Sequence, residues 1–398
     1  MNETSLNELY HRLNALTVFR SIAEEPVIRG LKDFLYAAEH QDLDARIDCY
    51  SAFCRAVYEE GGDLSQAVCR IVLEDENFYI VGRARGQKMS DAVEEALEKE
   101  LSLLQDVSQL APSRLQEAIA YGSFLPEWTL SEVDIRTAYR QQIEQIGSTG
   151  YGIFARYHGF TVKDGQLVPI RSMDTQTLDT LYGYERERNL VLENTRALVE
   201  GQSACNVLLY GDAGTGKSST IKAVARHFFD QGLRIVEFKK NQLADILPIM
   251  ESLSEIPLKF IFYIDDLSFQ ADDDTFCDLK GILEGSAASY AGNIAIYATS
   301  NRRHLVKESM SDRVGDQLHV NDTLQETMSL AARFGLTITF SKPEKDLYLD
   351  IVRSLAPSYG IDLPDEELCR RAEAFAIRQN GRSPRTAKQF LQLTKIGL

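Results

Sequence analysis

Gly211-Asp212-Ala213-Gly214-Thr215-Gly216-Lys217-Ser218 sets three glycines, a lysine and a hydroxyl within eight residues, and Ser219 follows. Glycines at 211, 214 and 216 allow positive φ and close backbone approach, so several N–H groups can aim at one phosphate chain. Lys217 can reach the terminal phosphates as a point charge, and the Ser218 hydroxyl can ligate Mg²⁺. Such a loop needs a strand before it and a helix after it. Asn206-Val207-Leu208-Leu209-Tyr210 reads as a short buried strand, and Ile221, Val224, Ala225 and Phe228 recur at helical spacing beyond it. That helix would point its positive N-terminus at the same anion. Residues 211–219 are therefore the candidate phosphate contacts.

Two further strand ends carry chemistry. Lys259-Phe260-Ile261-Phe262-Tyr263-Ile264 is apolar and runs into Asp265-Asp266. A carboxylate beside a phosphate loop can hold Mg²⁺, directly or through its waters, and Asp265 takes that role. Asp266 is the candidate that polarises an attacking water. The competing reading is a plain acidic loop, because Asp272, Asp273 and Asp274 follow closely. Ile294-Ala295-Ile296-Tyr297-Ala298 ends in Thr299-Ser300-Asn301. Asn301, or alternatively Ser300, can orient the water or bond the γ-phosphate.

From about residue 178 onward, strands and helices alternate. Candidate strands at 206–210, 233–238, 259–264, 293–298 and 336–340 predict a parallel sheet covered on both faces. Ligands of such sheets sit at the carboxyl ends of the strands. Upstream, Phe160-Thr161-Val162-Lys163 and Gln166-Leu167-Val168 flank Asp164-Gly165, a hairpin signal. The hairpin is expected to pack against the sheet domain. Gly147-Ser148-Thr149-Gly150-Tyr151-Gly152 reads as a linker. Residues 1–146 read as mostly helical, with Leu6, Leu9, Leu13 and Leu16, then Leu97, Leu101 and Leu104, forming core stripes. Breaks fall at Gly61-Gly62 and Pro112.

The net charge is −16, with a sequence pI near 5.0. Residues 1–150 hold 26 acidic against 14 basic residues, a net −12. That balance argues against this part wrapping nucleic acid, which is held by lysine and arginine. No apolar run approaches the roughly 20 residues that span a bilayer. Met1-Asn2-Glu3-Thr4-Ser5 lacks the basic and apolar stretches of a signal peptide, so a cytoplasmic location is expected. Six cysteines with no Cys-x-x-Cys pair predict buried free thiols in a reducing compartment.

Together these features resemble the AAA+ ATPases over roughly residues 178–398. Gly211 to Ser218 is similar to their Walker A loop, Ile264-Asp265-Asp266 to their Walker B segment, and Asn301 to their first sensor. Leu330-Ala331-Ala332-Arg333-Phe334-Gly335 resembles the helix end that carries the arginine finger. Gly381-Arg382-Ser383-Pro384-Arg385-Thr386-Ala387 is similar to the second-sensor segment of a helical lid, with Arg385 as the sensor. Leu181-Tyr182-Gly183-Tyr184-Glu185 occupies the place where such proteins wrap the adenine, which nominates Tyr182. The pattern looks most like a bacterial AAA+ family of uncharacterised role.

The resemblance implies a three-layer αβα P-loop NTPase core with a parallel sheet over 178–340. It implies a helical lid over 341–398, behind a linker and hairpin at 147–177 and an acidic helical domain at 1–146. It also implies ATP and Mg²⁺ as cofactors and assembly into a ring or open ring. A guanidinium that meets the γ-phosphoryl charge can be worth about 10³–10⁵ in rate. If Arg333 acts in trans, the active site exists only between subunits. Most AAA+ proteins carry Glu where this chain has Asp266, although Asp-Asp is usual in the replication-initiator and helicase-loader branch. Arg302, Arg303, His304 and Lys307 read as a solvated basic face.

The leading function is an ATP-driven remodeller or loader of a protein partner. The alternatives are a nucleic-acid loader or motor, disfavoured by the charge, and a slow nucleotide-dependent switch or scaffold. A small-molecule kinase is a weaker fourth reading.

Overall fold

The structure is a computed structural model that describes residues 5–173, 175–267, 274–283, 292–301, 332–379 and 381–397. The chain divides into two compact units, Met1–Arg156 and Tyr157–Leu398.

The first unit is helical. Ser5, Asp42, Asp63, Asn77 and Asp134 each accept a bond from the backbone N–H three residues on. These side chains start the helices Leu6–Asn14, Leu43–Glu59, Leu64–Glu74, Phe78–Ala84 and Ile135–Glu144 by satisfying an otherwise orphaned donor. The predicted stripes are core: Leu9, Leu13, Leu16, Leu97, Leu101 and Leu104 pack in one cluster with Trp128. Within this apolar unit Glu100 is buried. Its Oε1 accepts from Thr17 N at 2.8 Å, Thr17 Oγ1 at 2.6 Å and Val18 N at 3.2 Å, and its Oε2 from Phe19 N at 3.0 Å. One carboxylate thus ties down the turn after the first helix. Glu100→Ala leaves those donors unmatched and is expected to destabilise this unit by about 3 kcal/mol, read as a shift in denaturant midpoint.

The predicted linker is folded rather than extended. Ser148 and Thr149 complete the short helix Ile146–Thr149, and Gly150, at φ 71°, closes it. The Gly150 carbonyl accepts from Gln142 Nε2 at 3.1 Å, and Tyr151 is buried in the first unit's core. Gly150 and Gly152 supply positive-φ turns, not slack. The two units therefore part at 156/157, ten residues beyond the expected 146/147 boundary.

The second unit is built on a seven-stranded sheet. Its strands are β1 (Gly159–Lys163), β2 (Gln166–Pro169), β3 (Val207–Gly211), β4 (Leu233–Phe238), β5 (Lys259–Ile264), β6 (Ile294–Ser300) and β7 (Leu336–Phe340). The order across the sheet is β2-β1-β4-β5-β6-β3-β7. Asp164 and Gly165 both take positive φ, 51° and 73°, as a tight two-residue hairpin turn requires. The hairpin does more than pack against the sheet. β1 pairs in parallel with β4, so the hairpin forms the sheet's outer two strands. All other pairings are parallel.

Side chains alternate across the strands. Leu209, Ile235, Ile261, Tyr263 and Tyr297 pack against Val191, Ile221 and Val224 of the helices Glu185–Val199 and Lys217–His227. Leu208, Val236, Phe260, Phe262 and Ile296 point the other way and are equally buried. Burial on both faces makes this a three-layer αβα core. The last three helices, Lys345–Leu355, Asp365–Arg378 and Pro384–Lys395, bury Tyr348, Val352, Leu368, Ala372, Phe390 and Leu391 in a core of their own, a helical lid.

Among the described residues no helix is long and apolar enough to cross a membrane. The described cysteines are free, but only Cys54 is fully buried and Cys205 is exposed. Cys205 precedes the buried run of β3 in a turn held by Asn194, so its apolar neighbours in sequence do not enclose it.

Candidate functional site

The parallel register brings the ends of β3, β5, β6 and β7 to one edge of the sheet. β6 lies between β3 and β5, so its terminal residues fall between the glycine loop and the Asp265-Asp266 pair. A cleft of about 510 Å³ opens there, within the size range of small-molecule sites.

Gly211 makes the sharp departure from β3. Its φ is 138°, and a Cβ there would lie 2.1 Å from the Phe340 carbonyl oxygen of β7. No other residue type fits that approach. Asp212 N donates to the same carbonyl at 3.1 Å, and Asp212 Oδ2 accepts from Lys342 N at 3.1 Å. Thr215 Oγ1 donates to Asp212 O at 2.9 Å, which folds the loop back on itself. Ala213 to Ser219 line the cleft, with Gly216 at the N-cap of the following helix.

Lys217 is nearly fully buried. Its ammonium donates to Gly211 O at 2.8 Å, Asp212 O at 2.7 Å and Asn301 Oδ1 at 3.0 Å. Burial lowers its pKa, and the charges of Asp212, Asp266 and Asp265 oppose that. Asn301 Nδ2 in turn donates to Asp266 Oδ1 at 2.8 Å. Asn301 thus bridges the lysine and the second carboxylate. Ser300, the alternative, is buried within β6 opposite Tyr210.

Asp265 Oδ1 accepts from Ser218 Oγ at 2.8 Å, Thr299 Oγ1 at 2.5 Å and its neighbour's N–H, Asp266 N, at 3.1 Å. Burial raises the Asp265 pKa, but the adjacent hydroxyls of Thr299, Tyr263 and Ser218 and the Lys222 charge outweigh it, so the carboxyl lies below its ordinary value. A hydroxyl and a carboxylate converging beside the loop form an all-oxygen set. That set fits a hard cation that keeps phosphate and water for its remaining ligands. Thr299 escaped the sequence reading, although it stands in the quoted strand. It also accepts from Asp266 N at 3.0 Å, so it braces the Asp265 carboxylate and the Asp266 backbone together. Only the strand register reveals this.

Asp266 adopts φ 51°. Aspartate and asparagine tolerate the left-handed region far better than longer side chains. That backbone accounts for Asp at a position where the resembled family mostly has Glu.

The far wall is a hook at residues 181–184. Tyr182 lines the cleft and packs on the lid core. Tyr184, also left-handed at φ 60°, donates its hydroxyl to Ser341 O at 2.6 Å, and Arg188 donates to Leu181 O. Neither partner is adjacent in sequence, so only the fold discloses them. The lid closes the cleft from above. Ser383 caps the helix Pro384–Lys395, and Arg385 N donates to Gly214 O at 3.2 Å. Pro384, Arg385, Lys388, Gln389 and Gln392 face the cleft.

Arg333 ends the helical turn before β7, half-buried, and does not line the cleft. Arg302, Arg303, His304, Lys307, Leu330, Ala331, Asp272 and Asp273 lie outside the described residues.

Similar solved structures include the following two. The FIGL-1 AAA domain in complex with ADP matches at 15% identity and TM-score 0.37, covering 57% of this chain and 74% of that one. AMPPCP-bound DnaA from Aquifex aeolicus matches at 14% identity and TM-score 0.39, covering 57% and 67%. At that identity and overlap, the fold is carried by this chain's own strand order and site geometry. No curated protein matches the sequence. A family model spans residues 154–396, which take in the whole sheet, the glycine loop, both carboxylates, Asn301, Arg333 and the lid, and the chain therefore belongs to the family described as "Protein of unknown function (DUF815)".

Proposed function

We propose that the chain is an AAA+ ATPase that hydrolyses ATP to remodel or load a protein partner and works as a homo-oligomer. The observation that carries this reading is the joined constellation at the strand ends. Lys217, Asn301 and Asp266 form one hydrogen-bonded chain, Ser218, Asp265 and Thr299 a second, and Arg385 hangs over both from the lid.

Each residue then has a chemical task. The loop N–H groups from Gly214 to Ser219 and the Lys217 ammonium hold the phosphate chain. Tyr182 and the 181–184 hook flank the base. Asn301, already bonded to Asp266, orients the attacking water, and Asp266 draws on its proton. Arg385 meets charge on the phosphoryl oxygens from the lid side, so nucleotide state and lid position are coupled. Ser218 and Asp265 would hold Mg²⁺, which would neutralise the phosphate charge as the bond to the leaving group breaks. The division into an acidic helical domain, an αβα core and a lid suits an adaptor joined to a motor. The first would choose the partner, and the lid would move against the core.

Asp266→Asn keeps the left-handed backbone and the bond from Asn301 while removing the base. Turnover is expected to fall on the order of 10²–10³, with nucleotide affinity within about twofold of the parent. Equal losses in both would assign Asp266 to binding instead.

The reading as a whole is tested by steady-state ATP hydrolysis over a protein concentration series. Turnover that climbs more steeply than concentration supports a shared-site oligomer. Nucleotide binding with no turnover at any concentration would replace it with the switch.

A further inference from the structure

Tyr263 is a buried polar residue that the reaction above leaves unused. It stands on β5 two residues before Asp265, so both side chains face the helix that follows the glycine loop. Its residue exposure is 1%. In register it is flanked by Glu237 of β4 and Tyr297 of β6. Lys222, one helical turn beyond Ser218, holds its ammonium 5.7 Å from the ring centroid and pairs with Glu237 at 2.8 Å. The ring is therefore clamped from the helix side by a cation that is itself anchored to the sheet.

The hydroxyl at the end of this ring lies beside Ser218, Asp265 and Thr299, yet it closes no hydrogen bond. A buried phenol without a partner is costly, and such groups mark sites with a further use. A phenol at neutral pH is an O–H donor. The acceptor beside it has room. The three donors to Asp265, from Ser218, Thr299 and Asp266 N, all fall on Oδ1. A carboxylate offers about four lone-pair positions over two oxygens, so Oδ2 is the side on which a cation and one more donor can be taken.

We propose that Tyr263 is a positioning residue for the divalent-cation site, whose hydroxyl closes onto Asp265 when the cation is bound and fixes the plane of that carboxylate. Hydrogen bonds that are long in an empty site commonly tighten in the loaded one. The outer partners of metal-binding groups act in this way, by orienting a ligand they do not replace. A phenylalanine would fill the same core and leave the carboxylate free to turn about its own bond. The proposal rests on the reading that Asp265 and Ser218 hold the cation.

The test uses the full chain, a fluorescent ATP analogue and a Mg²⁺ titration, with Tyr263→Phe and Asp265→Asn side by side. Tyr263→Phe is expected to bind the analogue unchanged without Mg²⁺, to need roughly 10-fold more Mg²⁺ for half-saturation, and to melt no lower than the parent. The absence of a melting loss matters, because deleting a hydroxyl that closes no hydrogen bond removes none from the fold. Wild-type Mg²⁺ dependence in Tyr263→Phe, alongside a shifted Asp265→Asn, overturns the proposal and leaves Tyr263 as core. A lower melting point with unchanged Mg²⁺ dependence has the same meaning. Unshifted Mg²⁺ dependence in Asp265→Asn overturns the underlying cation reading whatever Tyr263→Phe does.

Discussion

Lys217→Ala is expected to abolish turnover while leaving the fold intact. The ammonium is threaded through the glycine loop. In the structure it satisfies two loop carbonyls and the Asn301 side chain. With ATP bound, it would turn from those oxygens to the phosphates, exchanging neutral acceptors for charged ones. Charge-assisted bonds of that kind are worth about 1.5–3 kcal/mol each, so loss of one weakens ATP binding by about 10- to 100-fold. Its part in the transition state adds a loss on the order of 10²–10³ in turnover. The folded state loses three hydrogen bonds but also sheds a buried charge, and burial is the main influence on that group's pKa. The two effects oppose one another, so the melting point is expected to move by only a few degrees. Parent-level turnover in the purified variant would exclude this loop as the hydrolytic site. A collapsed melting profile would make Lys217→Met, which keeps the length of the side chain, the variant to assay.

What was legible in the sequence divides along a physical line. Strand ends whose chemistry is local could be read directly. The glycine loop, the Asp265-Asp266 pair and Asn301 each announce themselves by residue type after an apolar run, and the parallel sheet brings the three together. The Asp164-Gly165 turn was equally plain, because left-handed backbone at two successive positions has a short list of suitable residues. What depends on pairing between distant segments was not readable. The joining of β1 to β4 is a contact across some 75 residues, and no periodicity encodes it. Thr299 as a brace, the Tyr184–Ser341 tie and the Arg385–Gly214 bond are likewise products of register and lid placement. Gly147 to Gly152 misled for a different reason. Glycine marks both flexible spacers and tight left-handed turns, and composition alone does not separate them. The burial of Tyr151 was the distinguishing fact.

Arg333→Ala is expected to lose on the order of 10³ in turnover with ATP affinity within about twofold of the parent. Tyr182, Lys217, Ser218, Asp265, Asp266, Asn301 and Arg385 border the cleft, whereas Arg333 ends the turn ahead of β7 and does not line it. β7 is the sheet strand next to β3 on the side opposite β6, so Arg333 belongs to an edge of the sheet rather than to its centre. An arginine in that place serves chemistry only if a neighbouring copy presents its own cleft. A head-to-tail interface of this kind closes into a ring or runs on as an open one. Mixing supplies the decisive measurement. Lys217→Ala lacks a working loop but keeps Arg333, and Arg333→Ala lacks the arginine but keeps the loop. Combined in equal amounts, the two inactive proteins should regain about a quarter of parent turnover, the share of random interfaces that pair a sound loop with a sound arginine. Two inactive variants that stay inactive together, while still co-assembling, would place Arg333 in its own subunit's site or in the fold. Recovery on mixing, by contrast, would tie catalysis to assembly, because each site would then be built from two chains.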